Sequence, residues 1–292
     1  MGQYSKNDTM QKLDIGDVAS TSLVTLYCRA IESQKEDPII NDPKAVEIKN
    51  GLDKIFSDSD NRLERSLALG KINKNLSVHI AVRAKRYDEY AEEFLKRAPD
   101  GIIVNIGCGL DSRFHRIDNG RVVFYDLDLP ELIKIKGQFF KESGRYRFIA
   151  SSVLDFRWMD LVSRHKGPFM FIAEGVFMYL KEEDVRSLVL KLQSVFPGSE
   201  LVCEVFNSLW LKKPLDTLVK NKIQRDSHLG GGAMFCSGVR DSKDFEAWNK
   251  GIVLVDEWSY FDSNNKKLGW YKHLGRFKIF RKTQWTVHYK LN

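Results

Sequence analysis

Between Gly101 and Phe206 the sequence alternates short β-branched or aromatic runs with helical stretches, and this alternation restricts the fold more than any other feature. The runs are "GIIVNIG", "RVVFYDLD", "YRFIASSV", "PFMFIAEGV" and "ELVCEVF", and helical patterns such as "LPELIKIKGQFFKESG" and "KEEDVRSLVLKLQSVFP" separate several of them. Such an order predicts an α/β fold with a parallel sheet, because each crossover lays a helix against a sheet face. The terminal part, "GIVLVDEWSYFD" and then "FKIFRKTQWTVHYKLN", offers two or three more strands with no clear helix between the last ones. Right-handed crossovers cannot join strands so closely, so the last strand is predicted antiparallel.

Upstream, the sequence reads as mainly helical from about Ile15 to Ala98, where Pro99-Asp100-Gly101 closes the pattern. The expected organisation is therefore a helical extension over residues 1–98 and an α/β core over 99–292. An irregular insertion around 207–250 interrupts that core. It contains "HLGGGAMFCSG", which reads either as a mobile loop over a site or as a surface connection.

A chain of 292 residues that is 43% hydrophobic can bury a large core, which excludes a disordered or collagenous class. Its 46 Lys and Arg against 39 Asp and Glu give a formal charge of +7. That balance would suit nucleic acid or an acidic membrane surface, but the basic residues mix with acids, as in "KEDPIINDPKAVEIKNGLDK". Neither partner is expected. Cys28, Cys108, Cys203 and Cys236 form no CxxC or Cys/His cluster, so no metal is expected and the cytoplasm is the expected compartment. The N-terminus is too polar for a signal peptide, and no stretch approaches the roughly 20 apolar residues of a membrane span.

The chemistry centres on "GIIVNIGCGLDSRFHRID", where a strand ends in a turn with Gly107 and Gly109. Glycines there let the backbone approach a ligand at the carboxyl end of a strand. The third glycine of the dinucleotide pattern is absent, and Asp111 would set a negative charge beside a pyrophosphate. A nucleoside with a positive centre and no phosphates fits this turn better. Asp126 lies 19 residues beyond Gly107, close to the roughly 20 expected of an acid that accepts from both ribose hydroxyls. It is the first ribose candidate and Asp128 the second.

These residues resemble S-adenosylmethionine-dependent methyltransferases of the class with a seven-stranded, Rossmann-like sheet. More narrowly, they resemble the family of the leucine carboxyl methyltransferases and the tetracenomycin-type polyketide O-methyltransferases. The carriers are "GCGLDSRFHRID", "YDLDLPELIKIK", "AEGVFMYL" and the upstream "VRAKRYDEY". The resemblance implies S-adenosyl-L-methionine as cofactor, with Arg83 on its carboxylate. It sets the turn Gly107, Cys108, Gly109 along the methionyl part and ribose, with Asp126 and Leu127 at the ribose. It puts Val153, Leu154 and Asp155 in the segment that would recognise adenine, with Ser152 as a further polar candidate. Glu174 is placed next to the reacting methyl, against the cofactor's ammonium or sulfonium, and Tyr179 beside the cofactor or the acceptor. Asp126 departs from the glutamate usual in the family at that position. Arg113 and Arg116 either form salt bridges across the helix surface or point toward an anionic acceptor.

The implied activity is O-methyl transfer to a carboxylate or hydroxyl of a small organic, polyketide-like acceptor. A carboxylate acceptor is already ionised at neutral pH and needs no general base. Other readings are methylation of a protein C-terminus, an NAD-dependent dehydrogenase, or a non-catalytic protein that binds the cofactor. The dehydrogenase is weakened by the missing glycine and by Asp111.

Overall fold

The structure is a computed structural model that describes residues 17–213 and 235–292. Its centre is one seven-stranded sheet: β1 Ile102–Ile106, β2 Val123–Asp128, β3 Tyr146–Ala150, β4 Phe169–Ala173, β5 Ser199–Phe206, β6 Ile252–Trp258 and β7 Gln284–Leu291. The order is β3-β2-β1-β4-β5-β7-β6. Strands β1 to β5 are parallel, and β7 runs antiparallel between β5 and β6. The expected mostly parallel sheet with an antiparallel last strand is thus present. Strand order reverses between β1 and β4, which opens a crevice at their carboxyl ends.

All five residues of β1 are buried, as a strand covered on both faces requires. Successive side chains point to opposite faces. On one face Ile103, Phe124, Met170 and Ile172 join the helices α1 (Asp17–Ser33), α2 (Pro43–Phe56) and α4 (Lys74–Arg97) in one core. On the other, Val104, Leu127, Phe171 and Leu201 pack with α7 (Trp158–Val162) and α8 (Glu182–Val195). Two short helices, α3 (Arg62–Ala68) and α5 (Arg113–Ile117), flank the first face. The N-terminal helices therefore share a core with the sheet.

Helix α4 carries most of the contact with that face. Asn73 caps it by accepting from the N–H groups of Asn75 and Leu76. Its buried positions Ile80, Arg83, Tyr87, Tyr90 and Phe94 recur every three or four residues. At its far end Arg97 donates both guanidinium arms to Glu200, at 2.8 and 3.0 Å, and the Glu200 carboxylate also meets His288 Nε2 at 2.9 Å. One carboxylate thereby joins α4 to β5 and β7.

Two segments depart from the sequence reading. The helix predicted over "LPELIKIKGQFFKESG" stops early, as α6 (Pro130–Lys136), because Lys136 turns its ammonium inward and Gly137 caps the end. In "FKIFRKTQWTVHYKLN" only Gln284–Leu291 is strand, while Lys278–Arg281 forms a helical turn with Phe277, Ile279 and Phe280 in solvent. Among the described residues of 207–250 there are short 3₁₀ turns, Ser208–Leu211 and Asp244–Ala247, and a single β-bridge between Asn207 and Val239, and most of "HLGGGAMFCSG" lies outside the described residues.

Burial raises the Glu200 carboxyl, but hydrogen bonds from His288 and Arg97 outweigh it and hold it well below the usual carboxylate range. A depressed carboxylate contributes stability that is present above its unfolded pKa of about 4.3 and is lost as pH falls through the folded value. Glu200→Gln should cost about 2 kcal/mol at pH 7, since Arg97 is partly solvated. The gap between the two proteins in urea denaturation should narrow steadily as pH falls below about 4.

Candidate functional site

The chain leaves β1 through Gly107, whose φ of 63° is left-handed. The N–H groups of Gly107 and Cys108 both donate to the Leu127 carbonyl, at 2.8 and 3.2 Å, so the turn is pinned to β2. A Cβ on Gly107 would stand 2.5 Å from Val176 Cγ2, and one on Gly109 would stand 2.8 Å from Ser22 Cβ. Helix α1 therefore lies directly on the turn, and only glycines permit that approach.

The two aspartates of β2 separate here. Asp126 is 1% exposed: Oδ1 accepts from Asn105 Nδ2 at 2.9 Å, and Oδ2 from Tyr146 at 2.6 Å and Lys136 Nζ at 2.9 Å. The ammonium of Lys136, itself fully buried, also donates to the carbonyls of Asp111 at 2.6 Å and Gly109 at 3.3 Å. Asp126, read from the sequence as the first ribose candidate, is thus placed as a buried foundation of the turn, held from beneath by three side-chain donors. Asp128, the last residue of β2, is half-buried. It accepts from the Gly109 N–H at 2.7 Å and the Leu129 N–H at 2.8 Å, one on each carboxylate oxygen. Burial pushes its carboxyl up despite those two donors.

The segment after β3 comes to the same edge. The Ser151 N–H donates to the Asp128 carbonyl, the Leu154 N–H to Ser152 Oγ, and Trp158 Nε1 to the Val153 carbonyl. Asp155 pairs with Arg157, a surface side chain.

Beside the turn lies a set of alternating charges. Glu174, just past β4, accepts from Arg83 Nε at 2.8 Å and Arg113 Nη2 at 2.6 Å. Arg83 Nη1 donates to Glu204 of β5 at 2.9 Å, leaving Nη2 without a partner among the described residues. Arg113 also reaches Asp88 and Asp111, Arg116 joins Asp88, Asp111 and Asp42, and Arg29 links Asp42 to the Leu110 carbonyl. Arg113 is 1% exposed. Both α5 arginines therefore point inward to carboxylates, not across the helix surface, and they are not free to meet an acceptor.

Burial raises Asp111, Glu174 and Asp42, yet the neighbouring arginines win and hold all three low. Glu204 goes the other way: burial, reinforced by Glu174, pushes it up beyond what Arg83 offsets. Four arginines thus face five carboxylates, and Glu204 is the carboxylate left over. At Gly175, with φ 70°, a Cβ would come within 3.6 Å of Glu204 Oε2 and 3.7 Å of Arg83 Nη2. Tyr179 follows in the 3₁₀ turn Phe177–Tyr179, half-buried and edge-on to Phe235 at 5.3 Å. Burial pushes its hydroxyl up.

The geometry is that of a strand-order reversal with a glycine turn, a half-buried acid at the end of β2 and a carboxylate past β4. The sequence model of the leucine carboxyl methyltransferase family matches residues 22–193. The chain belongs to that family. It is an S-adenosylmethionine-dependent O-methyltransferase. Its relatives include the tetracenomycin polyketide synthesis O-methyltransferase TcmP of Streptomyces glaucescens, 28% identical with 84% of each chain covered. Another is the S-adenosyl-L-methionine-dependent methyltransferase dpfgK of Gibberella zeae, 28% identical over 66% of each chain. Among solved structures, a DUF574 family protein of Streptomyces avermitilis shares the fold at a TM-score of 0.54 and 12% identity, covering 84% of this chain and 97% of its own.

Residues that sequence reading did not single out are Glu204, Lys136 and Asp42. A carboxylate within the apolar "LVCEVF" and an ammonium within "ELIKIKGQFF" were the signals available for the first two.

Lys136→Met leaves Asp126 buried and unpaired and should cost about 3–5 kcal/mol. Adding Asp126→Leu should recover much of the loss in denaturant midpoint. Asp128→Asn, half-solvated, should shift stability by less than about 1 kcal/mol.

Proposed function

We propose that this edge binds S-adenosylmethionine and delivers its methyl to a carboxylate or hydroxyl oxygen of a small organic acceptor. The carrying observation is the surplus carboxylate beside Arg83 Nη2: the cofactor brings a sulfonium and an ammonium against one carboxylate, a net positive guest. Arg83 Nη2 suits its carboxylate and Glu174 its ammonium. Asp128 suits the ribose diol, the turn Gly107-Cys108-Gly109 with Leu127 suits the nucleoside's close approach, and Val153, Leu154 and Asp155 suit the adenine. The donor set fits: a guanidinium, a carboxylate pair and a glycine turn stand at one sheet edge.

The bound cofactor supplies a methyl on positive sulfur that leaves by in-line displacement. The chain's part is alignment and exclusion of water. Arg83 and Arg113 fix the Glu174 carboxylate from two sides, so it is preorganised and costs no reorientation during transfer. A carboxylate acceptor needs no base, and Tyr179, half-buried just past Glu174, lines the approach. A small acceptor is supported by the relation to TcmP, which extends over 84% of both chains. For compartment we assign the cytoplasm, on three buried free thiols, Cys28, Cys108 and Cys203. Among the described residues no helix is long and apolar enough to cross a membrane.

Titration calorimetry with S-adenosylmethionine should show saturable binding that Asp128→Asn weakens by about tenfold or more; binding of NAD instead would overturn the reading. Labelled methyl transfer to aromatic acids and phenols then identifies the oxygen, since esters are cleaved by alkali and aryl ethers survive.

Affinity for S-adenosylmethionine should also rise with pH. A cationic guest favours ionised Glu204, whose carboxyl is raised in the free protein, so at low pH binding must first expel its proton. As pH rises above the ordinary carboxylate range the wild type should tighten, while Glu204→Gln and the net-neutral product S-adenosylhomocysteine should give flatter profiles.

A further inference from the structure

The stretch "KKLGWYKHLGRFKIFRK", Lys266 to Lys282, holds seven Lys and Arg and no Asp or Glu. Without it the chain has 39 basic and 39 acidic residues. The formal +7 of the protein is therefore lodged in 17 consecutive residues, and the mixture of signs seen elsewhere describes a neutral remainder.

This segment joins β6 to β7 as 3₁₀ turns over Lys266–Arg276, kinked at Gly269, followed by the helical turn Lys278–Arg281. Its inner side is anchored. Leu268 is buried with Ile39, Ile40, Val78 and Val82, and Lys267, Arg281 and Lys282 pair with Glu32, Asp262 and Glu257. Its outer side carries two kinds of exposed group. Trp270, Phe277, Ile279 and Phe280 are 65%, 60%, 50% and 41% exposed. Lys266, Lys272, Arg276 and Lys278 are exposed; Lys272 donates to the Asn264 side chain and Lys278 acts on Asp241 through space, and no ion pair within 4 Å to these four appears among the described residues.

We propose that Lys266–Lys282 is a docking surface for an anionic lipid bilayer. Exposed aromatic and aliphatic side chains interleaved with uncompensated cations are what an interfacial segment needs: the apolar groups enter the headgroup boundary while the cations meet anionic headgroups. Tryptophan in particular settles at the headgroup level. Nucleic acid would use the same cations and could stack the aromatics, but it would leave Ile279 in water. The stretch 214–234 is no electrostatic complement, with Lys220, Lys222 and Arg225 against Asp216 and Asp226. Because β7 starts at Gln284 opposite Phe206, the end of β5, the surface lies on the sheet edge that carries Gly107, Asp128 and Glu174. Docking would turn that edge toward the lipid, the side from which an apolar acceptor arrives.

Cosedimentation tests this without reference to methyl transfer. The full-length protein is mixed with phosphatidylcholine vesicles and with vesicles that also contain phosphatidylglycerol. Binding to the second and not the first is expected, weakening as salt rises. Lys272→Glu/Lys278→Glu and Phe277→Ser/Phe280→Ser should each reduce binding by about tenfold or more, with the thermal unfolding midpoint unchanged. Equal binding to neutral vesicles, or no binding to anionic ones, would overturn the proposal, as would retained binding in both variants. Binding of single-stranded RNA with none to the anionic vesicles would assign the surface to nucleic acid instead.

Discussion

The structure depends on an alternating set of buried charges: Arg29, Arg83, Arg113 and Arg116 against Asp42, Asp88, Asp111, Glu174 and Glu204. A charge taken from water is tolerated only when its partners and hydrogen bonds replace the solvent, and removing one member leaves another stranded. The partners here come from α1, the loop before α2, α4, the glycine turn, β5 and the segment after β4. No one of these elements can shift without leaving a charge unpaired. Hydrophobic burial assembles the sheet and its covering helices, but it is indifferent to small slides of α1 and α4 across the face. The charge set is specific about position, and it positions those helices over the site.

Its composition also bears on chemistry. A balanced set would have no electrostatic preference for a cationic guest, whereas five carboxylates facing four arginines have one. Asp42, Asp111 and Glu174 remain low because arginines compensate their burial; Glu204 is raised because its share of Arg83 is not enough. The pair Lys136–Asp126 is internally neutral and supports the turn; it meets the set at Asp111, whose carbonyl accepts from Lys136 and whose carboxylate that ammonium helps to hold low. Foundation and binding surface are thus divided between two groups of charges a few residues apart.

This division explains what the sequence could reveal. The strands and the glycine turn were legible because their signals are local: a run of β-branched residues, a change of period, two glycines at a strand end. The choice between Asp126 and Asp128 was not, since a spacing of roughly 20 residues cannot separate positions two apart. Both project to the same side of β2, and what distinguishes them is Lys136 and Tyr146, which only the packed structure brings beneath one of them. Arg113 and Arg116 were open for the same reason, because their partners Glu174, Asp88 and Asp42 lie 61, 28 and 74 residues away in sequence. The helix predicted through Gly144 failed where a lysine turned inward to a buried acid, a tertiary demand that propensity does not contain.

The edge that holds the site therefore has two electrostatic layers of opposite sign. Inside, a carboxylate surplus is enclosed by α1 and α4, where the low dielectric magnifies it. Outside, the cations of Lys266–Lys282 face solvent, where salt screens them within about 8–10 Å. On the proposed reading a cationic cofactor is favoured only once it is past those outer cations, and an acceptor that is itself a carboxylate is repelled from the interior unless the sulfonium is already there. That ordering favours cofactor before acceptor, and it follows from where the charges lie, with no moving part required.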